Sequence, residues 1–247
     1  METMTVTNAA RLISVLKSAR GGETILLAPG NHGDVSLSSI RPSTTITIRS
    51  ADPDNDAMFT SLKLTRANNL TFEDIDVTHV LALGERDFES AIRVNSSSNI
   101  NLTGIDLSGS RNGNPLDDGN GLFVHSSSRI AVLDSTFHKF KNAAVFHKTN
   151  NVVFAGNSIY DAREGVNTAE VNGGPFERNS MTGNRPDVGT GVINFSAPGV
   201  RAGSVAAIAG AGFQAVAGIG NLAGTAAAHP ASYLPRFDGQ FTAAYPL

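Results

Sequence analysis

The chain has 247 residues, a length that fits one solenoid domain. It carries 19 Lys and Arg against 22 Asp and Glu, a net charge of −3 without a basic run, which argues against nucleic acid as a partner. The absence of cysteine excludes disulfides and zinc–thiolate sites. Residues 1–5 lack the basic and apolar regions of a signal peptide, so we expect cytoplasmic residence or a signal-independent export route.

The N-terminal segment has the pattern of a short amphipathic helix. Apolar residues from Ala9 to Ala19 recur near helical spacing, with Thr7 or Asn8 as the N-cap and Gly21-Gly22 as the stop. Because the first coil of a solenoid exposes an apolar cross-section and open strand edges, we expect residues 1–22 to form a capping helix.

Short segments with period-two alternation follow the helix. Gly, Pro, Asn or Asp separates them, and each predicts a β-strand; they are residues 24–27, 34–37, 45–48 and 61–64. Three short strands per turn are what a triangular coil requires.

Four later segments repeat one pattern, an Asn- or Ser-rich turn followed by alternating apolar residues. They are Asn68-Asn69-Leu70-Thr71-Phe72, Ser98-Asn99-Ile100-Asn101-Leu102, Ser128-Arg129-Ile130-Ala131-Val132 and Asn150-Asn151-Val152-Val153-Phe154. Their offsets, about 30, 30 and 22 residues, lie within the range of solenoid repeats. Each segment can bury its apolar edge only by stacking on its neighbours, so the pattern predicts an all-β parallel β-helix.

A second set of segments aligns in one strand column of the predicted solenoid. They are Ala91-Ile92-Arg93-Val94-Asn95, Gly121-Leu122-Phe123-Val124-His125, Ala143-Ala144-Val145-Phe146-His147 and Gly165-Val166-Asn167-Thr168-Ala169. The two longer coils carry their extra residues just before this column, at 79–89 and 111–118. Insertions on one side of a solenoid build the walls of a binding face, so we expect the binding face here.

The repeat pattern stops near residue 195. The following stretch, 196–247, is rich in Ala and Gly and lacks the Asn/Ser turn signals. We therefore predict a solenoid over 23–195 and an irregular Ala/Gly-rich tail or C-terminal cap over 196–247. The tail is interrupted by polar residues and poor in large apolar ones, so a membrane span is not expected. The oligomeric state is not indicated.

Three N-terminal motifs resemble those of a known family. They are Val6-Thr7-Asn8-Ala9-Ala10-Arg11-Leu12, Gly22-Glu23-Thr24-Ile25-Leu26-Leu27-Ala28-Pro29-Gly30 and Thr47-Ile48-Arg49-Ser50-Ala51. The chain resembles right-handed parallel β-helix proteins of the alginate lyase and chondroitinase B type and the mannuronan C5-epimerase module. The likeness covers about the first 80 residues in detail, and the repeat character extends further. It implies a right-handed coil acting on an acidic polysaccharide of uronic acids, with calcium as the one expected cofactor.

The chemistry implied by this resemblance is removal of the C5 proton of a uronate. It requires a general base and a cation that stabilises the developing enolate. Asp161-Ala162-Arg163-Glu164 resembles the Asp-Pro-His-Glu motif of the epimerases at its first and last residues. Arg163 stands where those enzymes have a catalytic His, so another base is required.

Two histidines are candidates for that base. His125 and His147 occupy equivalent positions in the strand column, and the apolar residues before them point inward. Alternation therefore sends both imidazoles outward on adjacent coils, about 5 Å apart. Such a pair can act as general base and substrate donor, while the simpler interpretation is a solvent-exposed polar ladder.

A charged turn supplies the other catalytic candidates. Arg163 could neutralise a uronate carboxylate, Tyr160 could exchange a proton, and Asp161 with Glu164 could bind calcium through oxygen atoms. Solvated ion pairs within the turn are the simpler interpretation. The predicted substrate-binding residues are Arg93, Lys148 and Asn167.

Two functional hypotheses follow from the sequence. The first is a polysaccharide lyase or C5-epimerase-like module whose groove follows Arg93, His125, His147 and Arg163. The second is a noncatalytic carbohydrate-binding or structural β-helix, one truncated fragment of a larger protein. Convergence of His125 or Tyr160 with Arg163 and an acidic residue in one concave groove would favour the first.

Overall fold

The fold is a coil of short parallel strands preceded by one helix. The computed structural model describes residues 3–81, 89–110 and 119–182, and the strands at 191–195, 200–202 and 213–217. In chain order the first elements are β1 (Thr3–Val6), α1 (Ala9–Ser18), β2 (Thr24–Leu27), β3 (Gly30–Asn31), β4 (Asp34–Ser38), β5 (Ile46–Ser50), β6 (Ala57–Phe59) and β7 (Ser61–Thr65). The next are β8 (Asn68–Glu73), β9 (Ile75–Thr78), β10 (Ser90–Asn95), β11 (Ser98–Thr103), β12 (Asp106–Ser108), β13 (Asn120–His125), β14 (Ser128–Leu133) and β15 (Thr136–His138). The last are β16 (Asn142–Ala155), β17 (Ser158–Tyr160), β18 (Glu164–Asn172), β19 (Gly174–Glu177), β20 (Ser180–Thr182), β21 (Gly191–Phe195), β22 (Val200–Ala202) and β23 (Phe213–Ala217).

Successive coils stack their strands into three parallel sheets. Sheet 1 contains β4, β7, β10, β13, the first half of β16, β18, β21 and β23; sheet 2 contains β1, β2, β5, β8, β11, β14, the second half of β16, β19 and β22; sheet 3 contains β3, β6, β9, β12, β15, β17 and β20. The long strand β16 bends through the corner between sheets 1 and 2 and makes them continuous. The predicted parallel β-helix is confirmed.

The corners of the coil depend on single residues with left-handed backbone conformation. Between sheets 1 and 2 these include Ser96, Ser126 and Lys148, with φ of 50°, 48° and 53°. Asn99 and Asn151 of the repeated turn motif have φ of 53° and 54°. Asn tolerates this conformation better than most residues, which explains its frequency in the repeats.

The core is a set of apolar stacks inside the coil. Leu70, Ile100, Ile130 and Val152, the apolar positions of the four repeats, pair in register in sheet 2 and are fully buried. Each fully buried side chain of this size contributes about 1.5–3 kcal/mol. Since every coil adds a layer to these stacks, the inward apolar pattern sets the strand register.

Buried polar side chains replace backbone hydrogen bonds where the strands end. At the corner between sheets 2 and 3, the Ser135 amide donates to Asn157 Oδ1 at 3.0 Å, and the Asn157 amide donates to Asn179 Oδ1 at 2.9 Å. Asn157 Nδ2 also donates to the Val132 carbonyl at 3.0 Å. This internal ladder satisfies backbone groups that the turning chain would leave unpaired.

The N-terminal helix lies at the open end of sheet 1. α1 contacts β4, the terminal strand of that sheet, and buries Leu12, Val15 and Leu16. Asn8 is the N-cap and accepts from the Arg11 amide at 2.9 Å. The helix ends at Ser18, before the predicted glycine stop, because Ala19 already has extended backbone. The position of the helix agrees with the predicted capping role.

Two short strands fall within the stretch that we expected to be a tail or cap. β22 pairs in parallel with β19, and β23 pairs in parallel with β21. The other residues of 196–247 lie outside the described part of the chain. So do residues 82–88 and 111–118, which make up most of the two predicted loops.

Candidate functional site

The outer surface of sheet 1 carries most of the predicted site residues. Two adjacent rows run across its coils, and we call the following residues the histidine face: Lys63, Arg93, Phe123, His125, His147 and Asn167. They alternate with buried apolar residues, as in strand β13, where Phe123 and His125 flank buried Val124. Period-two alternation therefore aims these side chains outward.

The centre of the histidine face is a direct contact between its two imidazoles. His125 and His147 pair in register on neighbouring coils, and their ring centroids are 4.9 Å apart with the planes tilted by 46°. Their Nδ1 atoms are only 3.2 Å apart. The prediction that both rings lie outward on adjacent coils, about 5 Å apart, is confirmed.

A carboxylate orients the second histidine. His147 Nε2 lies 3.4 Å from Glu170 Oε1, and Glu170 occupies the next corner of the coil with φ of 53°. A carboxylate accepts hydrogen bonds, so this contact favours the proton of neutral His147 on Nε2. The lone pair of His147 Nδ1 then faces His125, whose Nδ1–H donates, and the lone pair of His125 lies on Nε2.

The pKa of His125 lies below its ordinary value. Burial of the imidazole is the largest cause, followed by the positive charge that His147 carries when protonated. Lys148 and Arg93 act in the same direction, while Glu170 opposes them. His125 is therefore biased towards the neutral form, which is the form that accepts a proton.

Cationic and aromatic side chains extend the face towards the N terminus. The Arg93 guanidinium carbon lies 5.1 Å from the centroid of the Phe123 ring, within cation–π distance. The same ring stacks on His125 at 6.2 Å with planes 15° apart. Lys63 is in register with Arg93 and lies 3.9 Å from Glu89. Arg93 is thus held beside the histidine pair.

A row of amides borders the histidine face. Asn142 Nδ2 donates to Asn120 Oδ1 at 2.6 Å, and Asn167 Nδ2 donates to Asn142 Oδ1 at 2.7 Å. Asn167 Nδ2 also donates to Glu164 Oε2 at 2.6 Å. The structure therefore connects two predicted residues, Asn167 and Glu164, through a hydrogen bond.

The remaining predicted residues fall at corners or on another sheet. Lys148 is exposed at the corner within β16, and Asp161 and Arg163 belong to the turn that leads from sheet 3 into sheet 1. Tyr160 ends β17 in sheet 3. The structure thus brings His125, His147, Arg93 and Asn167 onto one face and places Tyr160 on a different one.

Tyr160 belongs to a second polar cluster that the sequence did not indicate. Its ring stacks on His138 with centroids 4.8 Å apart and planes 11° apart. His138 Nε2 lies 3.2 Å from Asp106 Oδ1. Burial, with Asp106 and Asp161 nearby, raises the pKa of Tyr160, which keeps the phenol protonated. Asp76 pairs in register with Asp106, and burial together with the Asp106 charge raises its pKa.

The calcium prediction gains no support from side-chain geometry. Within the described ranges, no three His, Asp or Glu side chains are grouped to hold a metal ion. Asp161 and Glu164 therefore remain predicted ligands, and the chemistry proposed below does not pass through calcium.

Several residues of the site were missed at the sequence level. Lys63 could have been found by extending the strand column one coil towards the N terminus, since Leu62-Lys63-Leu64 repeats the alternation of Ile92-Arg93-Val94. The sequence did not indicate Glu170 as a site residue, because Glu170 follows the aligned segment. It reaches His147 only because the backbone turns a corner at this position.

The fold and its outward histidine face define a parallel β-helix with a polar surface on one sheet. The family model described as a right handed beta helix region matches residues 40–215, more than half of the chain. The chain therefore belongs to the right-handed β-helix family, as the sequence resemblance predicted. No curated protein matches it in sequence.

Three solved structures are similar to the chain at low sequence identity. Alginate lyase from Paenibacillus sp. str. FPU-7 is 15% identical with a TM-score of 0.44, covering 90% of this chain and 98% of that one. Pectin methylesterase from Aspergillus niger is 10% identical with a TM-score of 0.45, and the match covers 99% of this chain and 91% of that one. A mannuronic acid specific polysaccharide family 6 lyase from human gut microbiota is 11% identical with a TM-score of 0.37, and the match covers 92% of this chain and 77% of that one.

Membrane spanning by a helix finds no support in the described residues. The described part of the chain contains no helix with the length and apolar character needed to cross a bilayer.

Proposed function

We propose that the protein acts on an acidic polysaccharide at the histidine face, where His125 removes the C5 proton of a uronate. The observation that carries the proposal is the Glu170–His147–His125 chain, with contacts of 3.4 Å and 3.2 Å. In this chain Glu170 orients His147, and His147 orients the proposed base His125. Catalytic bases are commonly held by a second and a third group in this way. A solvated polar ladder does not require a carboxylate bound to one of its histidines.

The proton balance of the first step follows from the tautomers. His147 donates from Nε2 to Glu170 and accepts at Nδ1 from His125, so Nε2 of His125 holds the lone pair that takes the substrate proton. The imidazolium that forms is stabilised through its Nδ1–H by His147. The lowered pKa of His125 supports this role because its neutral form prevails near neutral pH.

Arg93 and Lys63 would stabilise the negative charge that develops on the substrate. Proton removal from C5 transfers charge into the carboxylate, and a fixed guanidinium beside it lowers the barrier. Arg93 is held over Phe123, which itself stacks on the proposed base. Asn167 and Asn142, the half-buried members of the amide row, can bind sugar hydroxyls, and Lys148 and Arg163 remain predicted contacts to the polymer.

Two reaction outcomes share this step. In elimination, the C5–H electrons form the C4–C5 double bond, the C4–O4 bond breaks, and the proton on His125 passes to the leaving O4. In epimerisation, C5 takes a proton from water on the opposite face, and His125 releases the first proton to solvent. Both outcomes begin with the same base and cation.

The test is turnover of alginate, pectate and chondroitin, with calcium or with a chelator, by purified protein. Ultraviolet absorbance of the unsaturated product indicates a lyase, and C5 exchange in deuterated water without absorbance indicates an epimerase. Loss of a general base lowers kcat by about 10²–10⁴-fold, so His125→Ala should show a loss of that size. Glu170→Gln should show a smaller one.

Asn101→Ala provides the matched control, because Asn101 lies on the outer face of sheet 2, away from the histidine face. It should keep wild-type turnover. Full activity in His125→Ala and His147→Ala, with the fold intact by circular dichroism, would contradict the site assignment. Loss of turnover in chelator that is restored by added Ca²⁺ would support the calcium prediction.

A noncatalytic carbohydrate-binding module is the second candidate. It is favoured by the placement of Tyr160 away from the histidine pair, because the sequence-based hypothesis offered Tyr160 as an alternative to His125 for proton transfer. The cations, Phe123 and the amide row would then bind polymer without reaction. Binding of the polymer without absorbance or exchange would favour this candidate.

A further inference from the structure

We infer that His125 and His147 chelate a divalent transition metal ion between their Nδ1 atoms, a site for Zn²⁺ or Ni²⁺ distinct from the calcium site predicted from the sequence. The observation is the convergence of two ring nitrogens at 3.2 Å while the ring centroids are 4.9 Å apart. The Nδ1 edges of the two rings therefore face each other. Imidazole nitrogen is a preferred ligand of Zn²⁺, Ni²⁺ and Cu²⁺, whereas calcium prefers oxygen.

The nitrogen separation matches the geometry of a metal chelate. Zn–N bonds are about 2.0–2.1 Å long, so a zinc ion bound to two nitrogens 3.2 Å apart has an N–Zn–N angle of about 100°. That value is close to tetrahedral. The in-register pairing of β13 and β16 holds both side chains at this separation without a backbone change.

Glu170 supplies the outer contact that metal-binding histidines usually have. A ligating imidazole commonly donates its other N–H to a carboxylate, which fixes the tautomer and raises the basicity of the ligand nitrogen. His147 Nε2 lies 3.4 Å from Glu170 Oε1, on the side of the ring opposite the proposed metal. A plain histidine ladder has no need of this carboxylate.

Metal binding requires a change of tautomer at His125 and a rotation of the two rings, because an ion about 2.0–2.1 Å from both nitrogens lies off the line that joins them. Without metal, the proton on His125 Nδ1 lies between the two rings. When the metal binds there, that proton moves to Nε2 of His125, and both Nδ1 lone pairs point to the ion. No net proton is released when both rings start neutral.

The chelate leaves coordination positions open. Among the described residues no third His, Asp or Glu completes the set, so water or a substrate oxygen would fill the other positions of a four-coordinate ion. The bound ion would also occupy the space between the rings and fix His125 with its proton on Nε2. Metal binding and proton abstraction by His125 would therefore exclude each other.

The test is isothermal titration of protein without a polyhistidine tag with Zn²⁺, Ni²⁺ and Ca²⁺ in separate experiments. We expect one Zn²⁺ or Ni²⁺ per chain and no saturable Ca²⁺ binding at this site. His125→Ala and His147→Ala should each weaken Zn²⁺ binding at least about tenfold, and Glu170→Gln should weaken it about tenfold. Asn101→Ala, on the outer face of sheet 2 and away from the pair, should keep the wild-type affinity.

A variant that gains Zn²⁺ affinity is a more discriminating test than the variants that lose it. Asn95 pairs in register with His125 on the preceding coil, so Asn95→His places a third imidazole in the same row, about 4.8 Å away. This variant should bind Zn²⁺ more tightly than wild type by at least about tenfold.

Equal Zn²⁺ affinity in wild type and in the folded double variant His125→Ala/His147→Ala would overturn the inference. Binding is measured without substrate, so the result does not depend on the proposed reaction. A protein that binds Zn²⁺ but turns over no polymer would contradict only the proposed function, and a lyase indifferent to Zn²⁺ would contradict only the metal site.

Discussion

Asn157→Ala should cause a large loss of stability because it breaks the internal ladder of the coil. The Asn157 side chain accepts from the Ser135 amide at 3.0 Å and donates to the Val132 carbonyl at 3.0 Å, and the residue is 1% exposed. Truncation leaves the buried Ser135 amide without an acceptor, at about 1–3 kcal/mol, and removes one hydrogen bond to the Val132 carbonyl, at about 0.5–1.5 kcal/mol. The free energy of unfolding should fall by about 2–4 kcal/mol.

A graded series makes the reasoning testable. Asn157→Ser should lose roughly half as much, because its hydroxyl can still accept from the Ser135 amide, just as the Ser135 hydroxyl accepts from the Ile105 amide at 3.1 Å. Asn101→Ala is the control, since it removes one side-chain hydrogen bond, to the Thr71 hydroxyl, and touches no backbone group, so its cost should stay below about 1.5 kcal/mol.

Urea denaturation followed by circular dichroism measures these differences, with comparisons made where the m-value is unchanged. Equal losses in Asn157→Ala and the outer-face control, both below about 1 kcal/mol, would refute the claim that the ladder satisfies buried backbone groups.

Three further variants test other parts of the structure. Asp76→Asn should stabilise the protein at neutral pH: the raised pKa of Asp76 means that its stabilising protonated state is lost as pH rises through that pKa, so the gain should vanish below about pH 3. A gain persisting in acid would contradict this. Gly121→Ala should cost about 1–3 kcal/mol, because the added Cβ would clash with the Ala143 carbonyl; an unchanged urea midpoint would disprove the clash. Arg93→Gln should lower kcat/KM on a uronate polymer by about tenfold or more, and unchanged kinetics would remove Arg93 from the site.

Much of the fold could be predicted from the sequence because its register is a local property. The four repeats pair as aligned, with Leu70 opposite Ile100, Ile100 opposite Ile130, and Ile130 opposite Val152. A shift by one residue would turn every apolar side chain outward, so the alternation specifies the register strongly. The His125–His147 contact followed directly from that alignment.

The rest of the candidate site could not be predicted in the same way. Tyr160 lies three residues before Arg163, and nearness in sequence suggested a shared site. The chain turns the corner between sheets 3 and 1 at Asp161, whose φ is 50°, so Tyr160 ends on the sheet 3 side. There it stacks on His138, which belongs to the previous coil and carried no motif.

The sequence by itself determined the parallel coil, the order of its strands in the regular region and the pair of outward histidines. These features depend on the period of inward apolar residues, which is visible in one dimension. Only the tertiary structure decided which outward side chains meet: Glu170 with His147, Arg93 with Phe123, and Tyr160 with His138. Those contacts depend on the direction in which each corner sends the chain and on side-chain conformation across coils, and neither leaves a periodic signal in the sequence.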